Sequence, residues 1–346
     1  MASRSAIAAH FSAQATACDD LGSPFTARLC RTLPEVLDGT RTGERVFDWT
    51  GDLRQDALAL RLCGGLHRLV LEGADAELAA AYPPQAPGDA ELEAALRGAF
   101  ARNDAMLAGH LDSPPQTNEV ARSAMLLPGF LEVARLTGLP LALNEIGASA
   151  GLNLFFDRFR YAYGDEMWGD IGSPVHLAPQ LRGEAPDLVG AVSVASRHGC
   201  DIRPVDIHDA EGRLRLKSYV WPDQQQRLAR LDAAIDIAAS GEFELRQDDA
   251  ADFVAARLAA RLPGRVFVLF HSIMWQYMPS ETRESIARAI REAGASAGAS
   301  APVAWLRMEP VEAGAPFATL SLITWPGGDT RDLARCDYHG RWIETL

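Results

Sequence analysis

The chain has 346 residues, of which 33 are basic and 46 acidic, giving a formal charge of −13 at neutral pH. A surface of that sign repels phosphate backbones, which argues against nucleic acid and favours a small molecule as partner. Hydrophobic residues at 48% and charged residues at 23% suit a globular protein with a large core, and no apolar run reaches the roughly 20 residues that span a bilayer.

The N-terminal stretch from Met1 to Phe11 has no apolar signal segment, which predicts a cytoplasmic protein. Helical patterning follows to about residue 137. Leu58, Leu62, Leu66 and Leu69 recur at i, i+4, i+8 and i+11, one face of a helix, and further helices are predicted over 24–37, 89–111 and 118–136. Tyr82-Pro83-Pro84 and Ser113-Pro114-Pro115 break them, and Gly138 closes the last. Cys18, Cys30, Cys63, Cys200 and Cys336 are scattered, without Cys-x-x-Cys spacing, so neither a disulfide framework nor a zinc site is expected.

After Gly138 strands alternate with helices, the pattern of a parallel, doubly wound sheet. The run 139–146 reads as the first strand, followed by a helix-like stretch over 152–159. A second strand is predicted over 159–163, and an irregular insertion over about 170–220 holds possible strands at 193–195 and 213–216. A helix over 223–239, a strand over 243–246 and a helix over 250–261 come next. The buried-type strand 265–270, a helix over 281–293 and a strand over 303–308 complete the alternation. Strands at 319–324 and 341–343, with no helix between them, predict an antiparallel pair at one edge. The predicted organisation is therefore a helical region over 1–137 and a Rossmann-like α/β domain of about seven strands over 138–346.

The strongest local signal is Glu145-Ile-Gly147-Ala-Ser149-Ala-Gly151, between a strand and a helix. Small residues let the backbone turn sharply, and amides at a helix start can face a bound ligand in a cleft. The acid can accept from a ligand's amino or hydroxyl group. The same residues also spell Gly-x-Ser-x-Gly, the nucleophile elbow of serine hydrolases, with Asp329, Asp332, Asp337 and His339 in suitable chain order. An elbow normally follows several strands, however, whereas this turn sits on the first.

Other polar clusters mark the predicted carboxyl edge. His271 can act as a general base; Ser272, Trp275, Gln276 and Tyr277 follow it, and Glu309 ends the strand over 303–308. The segment Trp221–Arg227 could help admit a substrate, and Arg227 and Arg230 could hold its carboxylate or phosphate; the alternative is an exposed helix face or an ion pair. His208 with Asp206 and Asp209 lacks a matching ligand set, so no metal is expected.

The turn Glu145–Gly151 resembles the first motif of class I S-adenosylmethionine-dependent methyltransferases, with Ser149 in place of the middle glycine. That resemblance implies S-adenosylmethionine as cofactor, bound by Glu145, Gly147, Ser149, Gly151 and Asn153, with Asp248 and Asp249 facing adenine. It implies a small-molecule substrate over His271–Tyr277, and it matches the closing strands to an inserted seventh strand. Asp165 stands in for the acid after the second strand, and His271 replaces an acid after the fourth. Glu145–Asn153, Trp221-Pro222-Asp223-Gln224-x-x-Arg227 and His271–Tyr277 together resemble a bacterial family of unknown function with a Rossmann-like fold. A non-catalytic nucleotide-binding or scaffold module is the rival reading.

Overall fold

The structure is a computed structural model that describes residues 3–312 and 314–346. Met1 and Ala2, which open the stretch read above for a signal segment, lie outside the described residues. The chain forms two compact units, one from the described residues of Met1–Thr117 with Asp209–Ala229, the other from Asn118–His208 with Arg230–Leu346.

The first unit is helical: α1 (Arg4–Asp20), α2 (Pro24–Val36), α3 (Arg41–Phe47), α4 (Leu58–Leu71), α5 (Ala76–Ala79) and α6 (Asp89–His110). The four leucines of the predicted stripe on α4 are buried, each worth about 1.5–3 kcal/mol relative to exposure. Caps fix the starts: Ser3 Oγ accepts from the Ala6 amide at 3.1 Å, and Thr40 Oγ1 from the Gly43 amide at 2.8 Å. Cys18, Cys30 and Cys63 are free thiols inside this core. The predicted strand over 213–216 is instead helical.

The second unit opens with α7 (Arg122–Thr137), which Gly138 ends in the left-handed conformation (φ +64°). Its strands are β1 (Leu141–Ile146), β2 (Arg160–Tyr163), β3 (Glu166–Gly169), β4 (His176–Leu177), β5 (Gln180–Leu181) and β6 (Val194–Asp201). After α8 (Ala210–Ser218), which belongs to the helical unit, α9 (Gln225–Ala239) leads to β7 (Glu244–Gln247), α10 (Ala250–Ala259) and β8 (Val266–Ser272). Then come α11 (Ser280–Ala295), β9 (Val303–Glu309), β10 (Ala318–Trp325), β11 (Thr330–Cys336) and β12 (Trp342–Thr345). Nine strands form one sheet in the order β5-β12-β11-β10-β9-β8-β1-β6-β7, while β3-β2-β4 form a separate small sheet.

From β7 to β9 the strands are parallel; β10, β11 and β12 continue antiparallel. All residues of β1 and β8 are buried, as expected of central strands covered on both faces. One face packs on α10 and α11 through Ile146, Phe267, Leu269 and Trp305. On the other, Phe130 of α7 meets Phe270 edge-on at 5.1 Å and stacks on Phe156 at 4.0 Å.

Two further expectations differ from the structure. The second strand of the sheet is β6, not the segment 159–163, which supplies β2 of the small sheet. The closing strands do not insert a last strand next to the fifth: β10 follows β9 in sequence and lies beside it, and β11 and β12 extend outward in chain order.

Candidate functional site

The neighbours of β1 are β6 on one side and β8 on the other, so strand order reverses there. In open α/β sheets the carboxyl ends at such a reversal border a crevice where ligands bind. At that point Gly147, Ser149 and Gly151 all adopt positive φ, at +66°, +54° and +74°. For Ser149, which has a Cβ, this costs about 1–2 kcal/mol. Ile273, just past β8, is held at φ +53°, a conformation β-branched residues rarely adopt.

The amides of the turn are all engaged within the protein. Gly147 bonds the Cys200 thiol, and Ala148 donates to the Cys200 carbonyl at 3.0 Å. Ser149 donates to Asp201 Oδ2 at 2.9 Å, and Gly151 to the Ala148 carbonyl at 2.7 Å. Asn118 Oδ1 accepts from Ala150 at 3.3 Å and Leu152 at 2.9 Å, standing where a ligand oxygen was expected. A Cβ on Gly147 would come within 2.8 Å of Met274 Cγ, so that side chain fills the space against this glycine. The turn amides therefore do not open onto a cleft.

Glu145 is 3% exposed, and its carboxyl is anchored on one side only. Ser123 Oγ donates to Asn153 Oδ1 at 2.7 Å, which turns the Asn153 amide nitrogen toward Glu145. Glu145 Oε2 is buried without a hydrogen-bond partner. Burial pushes this carboxyl well above the usual carboxylate range, nearby Asp201 pushes it further, and Arg122 opposes both. Asp201, at the carboxyl end of β6, is the acid that follows the sheet's second strand; besides Ser149 it accepts from the Arg203 amide at 2.9 Å. Sequence reasoning missed it because Arg197 and His198 interrupt the apolar pattern of β6. Asp165 lies in an exposed turn between β2 and β3.

A second cluster occupies the opposite face of the sheet. His271 is fully buried; its Nδ1 lies 2.7 Å from Glu309 Oε1, and its Nε2 accepts from Trp305 Nε1 at 3.2 Å. Since indole nitrogen only donates, Nε2 must carry the lone pair and Nδ1 the proton, which fixes one neutral tautomer. Glu309 Oε1 also accepts from the amides of Met274 and Trp275, at 3.2 and 3.3 Å. Trp275 stacks on His271 at 4.9 Å and meets Trp305 at 5.5 Å. Neither ring nitrogen is open to take a substrate proton, contrary to the base role expected of His271.

The remaining candidates disperse. Ser272 is buried and its carbonyl accepts from Arg122 Nη1 at 3.2 Å, while Gln276 is exposed and Tyr277 is 77% exposed. Asp249 caps α10 by accepting from the Ala251 amide at 2.8 Å; Asp248 is half-buried beside it. Trp221 and Arg227 belong to the helical unit, where Trp221 packs on the core and Arg227 bonds Gln224 at 3.0 Å. Arg230 pairs with Glu119 at 3.6 Å. Ser149 Oγ is buried without a hydrogen-bond partner, so no histidine activates it. Asp206 accepts from the His208 amide, and among the described residues no group of His, Cys, Asp and Glu is arranged to hold a metal. None of their helices is long and apolar enough to cross a membrane.

The family described as "Uncharacterized protein conserved in bacteria" (DUF2332) matches residues 8–345. The chain belongs to this family. The matched residues fall in both compact units. No curated protein and no solved structure matches the chain.

Proposed function

We propose that the sheet unit is a Rossmann-like module that binds a small, donor-rich molecule of nucleoside type, with S-adenosylmethionine the leading candidate. The observation that carries this reading is Glu145: a buried carboxyl at the reversal point of strand order, with one oxygen unsatisfied. Unpaired buried acceptors are costly, and a ligand's ammonium or hydroxyl would supply the missing donor. Asp201 and Asp248 follow the next two strands, β6 and β7, a row of acceptors suited to a diol and an exocyclic amine.

The acidic residues fit such a ligand; the glycine turn in this arrangement does not, because Asn118 and Asp201 hold its amides. Binding through the turn requires Asn118 to release two amides, and binding beside Gly147 requires Met274 to move. A cationic group accepted by Glu145 would favour its ionised form, opposing the burial that pushes this carboxyl upward.

Calorimetry of the full chain with S-adenosylmethionine, S-adenosylhomocysteine and NAD tests the reading. Binding of the first two, weakened at least tenfold by Asp201→Asn and strengthened by Asn118→Ala, is the expected outcome. If none of the three binds either the wild type or Asn118→Ala, the reading fails. A non-catalytic module is the second reading, favoured by the full engagement of His271; ligand binding with no methylated product from any acceptor supports it. Labelling of Ser149 by a fluorophosphonate would instead restore the hydrolase alternative.

A further inference from the structure

At the opposite edge of the sheet lies a cavity of about 210 Å³ whose rim includes Arg257, Arg261, Arg265 and His198, with Phe267 and Leu262 among its apolar walls. Ala142 and Phe267, both on its lining, are the second residues of β1 and β8, which places the cavity at the amino ends of the strands. Five residues of extended chain, roughly 16 Å, separate Ala142 from Gly147. This site is distinct from the one proposed above and does not depend on it.

Three guanidinium groups line one cavity that has no acidic lining residue, in a chain whose net charge is −13. None of the three forms an ion pair among the described residues. Arg261 has a structural explanation: it donates to the carbonyls of Leu258 and Ala293, both at 3.2 Å, and so caps the ends of α10 and α11. Arg257 spends its Nε on Asn144 Oδ1 at 3.0 Å; Glu244, the acid acting on it, is already shared between Arg246 and His198. Arg265 precedes β8, and its Nε is buried with no acceptor at all. Helix capping therefore accounts for one arginine of the three. A buried guanidinium donor without an acceptor calls for an oxyanion, which guanidinium binds in forked geometry.

We infer that this cavity binds a small organic anion, a carboxylate or phosphate monoester on an apolar body, with Arg257 and Arg265 holding the head and Phe267 and Leu262 flanking the body. Calorimetry of the full chain at low ionic strength, with phenyl phosphate, benzoate and inorganic phosphate as probes, tests it. Phenyl phosphate or benzoate should bind, whichever is tighter identifying the head group, and inorganic phosphate should bind at least tenfold more weakly. Arg265→Gln should lose at least tenfold in affinity. Leu262 is 55% exposed, so Leu262→Asp should leave folding intact while placing a repelling carboxylate at the rim, with a loss of similar size. No binding by any probe, inorganic phosphate binding as tightly as the aromatic anions, or wild-type affinity in Leu262→Asp would overturn the assignment.

Discussion

His271 shows how neighbours decide what a side chain can do. The imidazole sits between a donor, Trp305, and an acceptor, Glu309, and is stacked under Trp275. Removing it takes the nearest donor from a nine-tenths buried carboxylate and leaves the Trp305 indole N–H without an acceptor. We therefore expect His271→Ala to cost about 3 kcal/mol in urea unfolding, with a red-shifted tryptophan emission as Trp275 loses its stacking partner. Glu145 makes the opposite contribution. Its carboxyl titrates higher when folded than when unfolded, so the native state binds the extra proton. Stability is then greatest below the ordinary carboxylate range and falls as pH rises toward the raised folded value. In Glu145→Gln that decline should flatten, which a pH series of thermal midpoints will register; an unchanged slope would show that the carboxyl is not strained. Glu145 was legible in the sequence because an acid between an apolar run and a glycine is a local pattern. Asn118 and Asp201, which reach the turn from 34 and 52 residues away, leave no local trace.

Among the elements, legibility followed burial. β1 and β8 are buried throughout and read as continuous apolar runs; β6, with Arg197 and His198 in its interior, was seen only at its first residues. β11 was missed because its first three residues are exposed Thr, Arg and Asp, and only Ala334 and Cys336 are buried. The segment 213–216 alternates like a strand, yet lies within α8. Packing also sets a requirement that propensity would not: Gly129 lies inside α7, where glycine costs about 1 kcal/mol relative to alanine. A Cβ there would fall 2.2 Å from Leu306 Cδ1 of β9, so the close approach of helix to sheet outweighs the propensity loss. Gly129→Val should destabilise by about 2–3 kcal/mol, and Leu306→Ala in the same chain should recover part of it in a double-mutant cycle.

For the whole molecule, the sequence conveys a helical N-terminal region followed by a mostly parallel sheet with antiparallel closing strands, since periodicity and breakers report class. It did not reveal that residues 209–229 belong to the helical unit, because unit membership is set by long-range packing. The sheet is equally non-local: Leu141 at the start of β1 pairs with both Val194 and Val266. Chain closure of that length precedes any gain from pairing, so refolding of the sheet unit should take seconds rather than milliseconds in stopped-flow fluorescence. A single millisecond phase would contradict this account.

The carboxylate of Asp223 accepts from the Ser23 hydroxyl and, at 2.9 Å, from the Phe25 amide, and so completes the start of α2 from 198 residues downstream. During synthesis the first helices leave the ribosome long before their cap exists. At about 5–20 residues per second, they wait some ten seconds or more for it. In that interval nascent α2 lacks its anchor, and its apolar face is open to whatever chaperone meets the emerging chain.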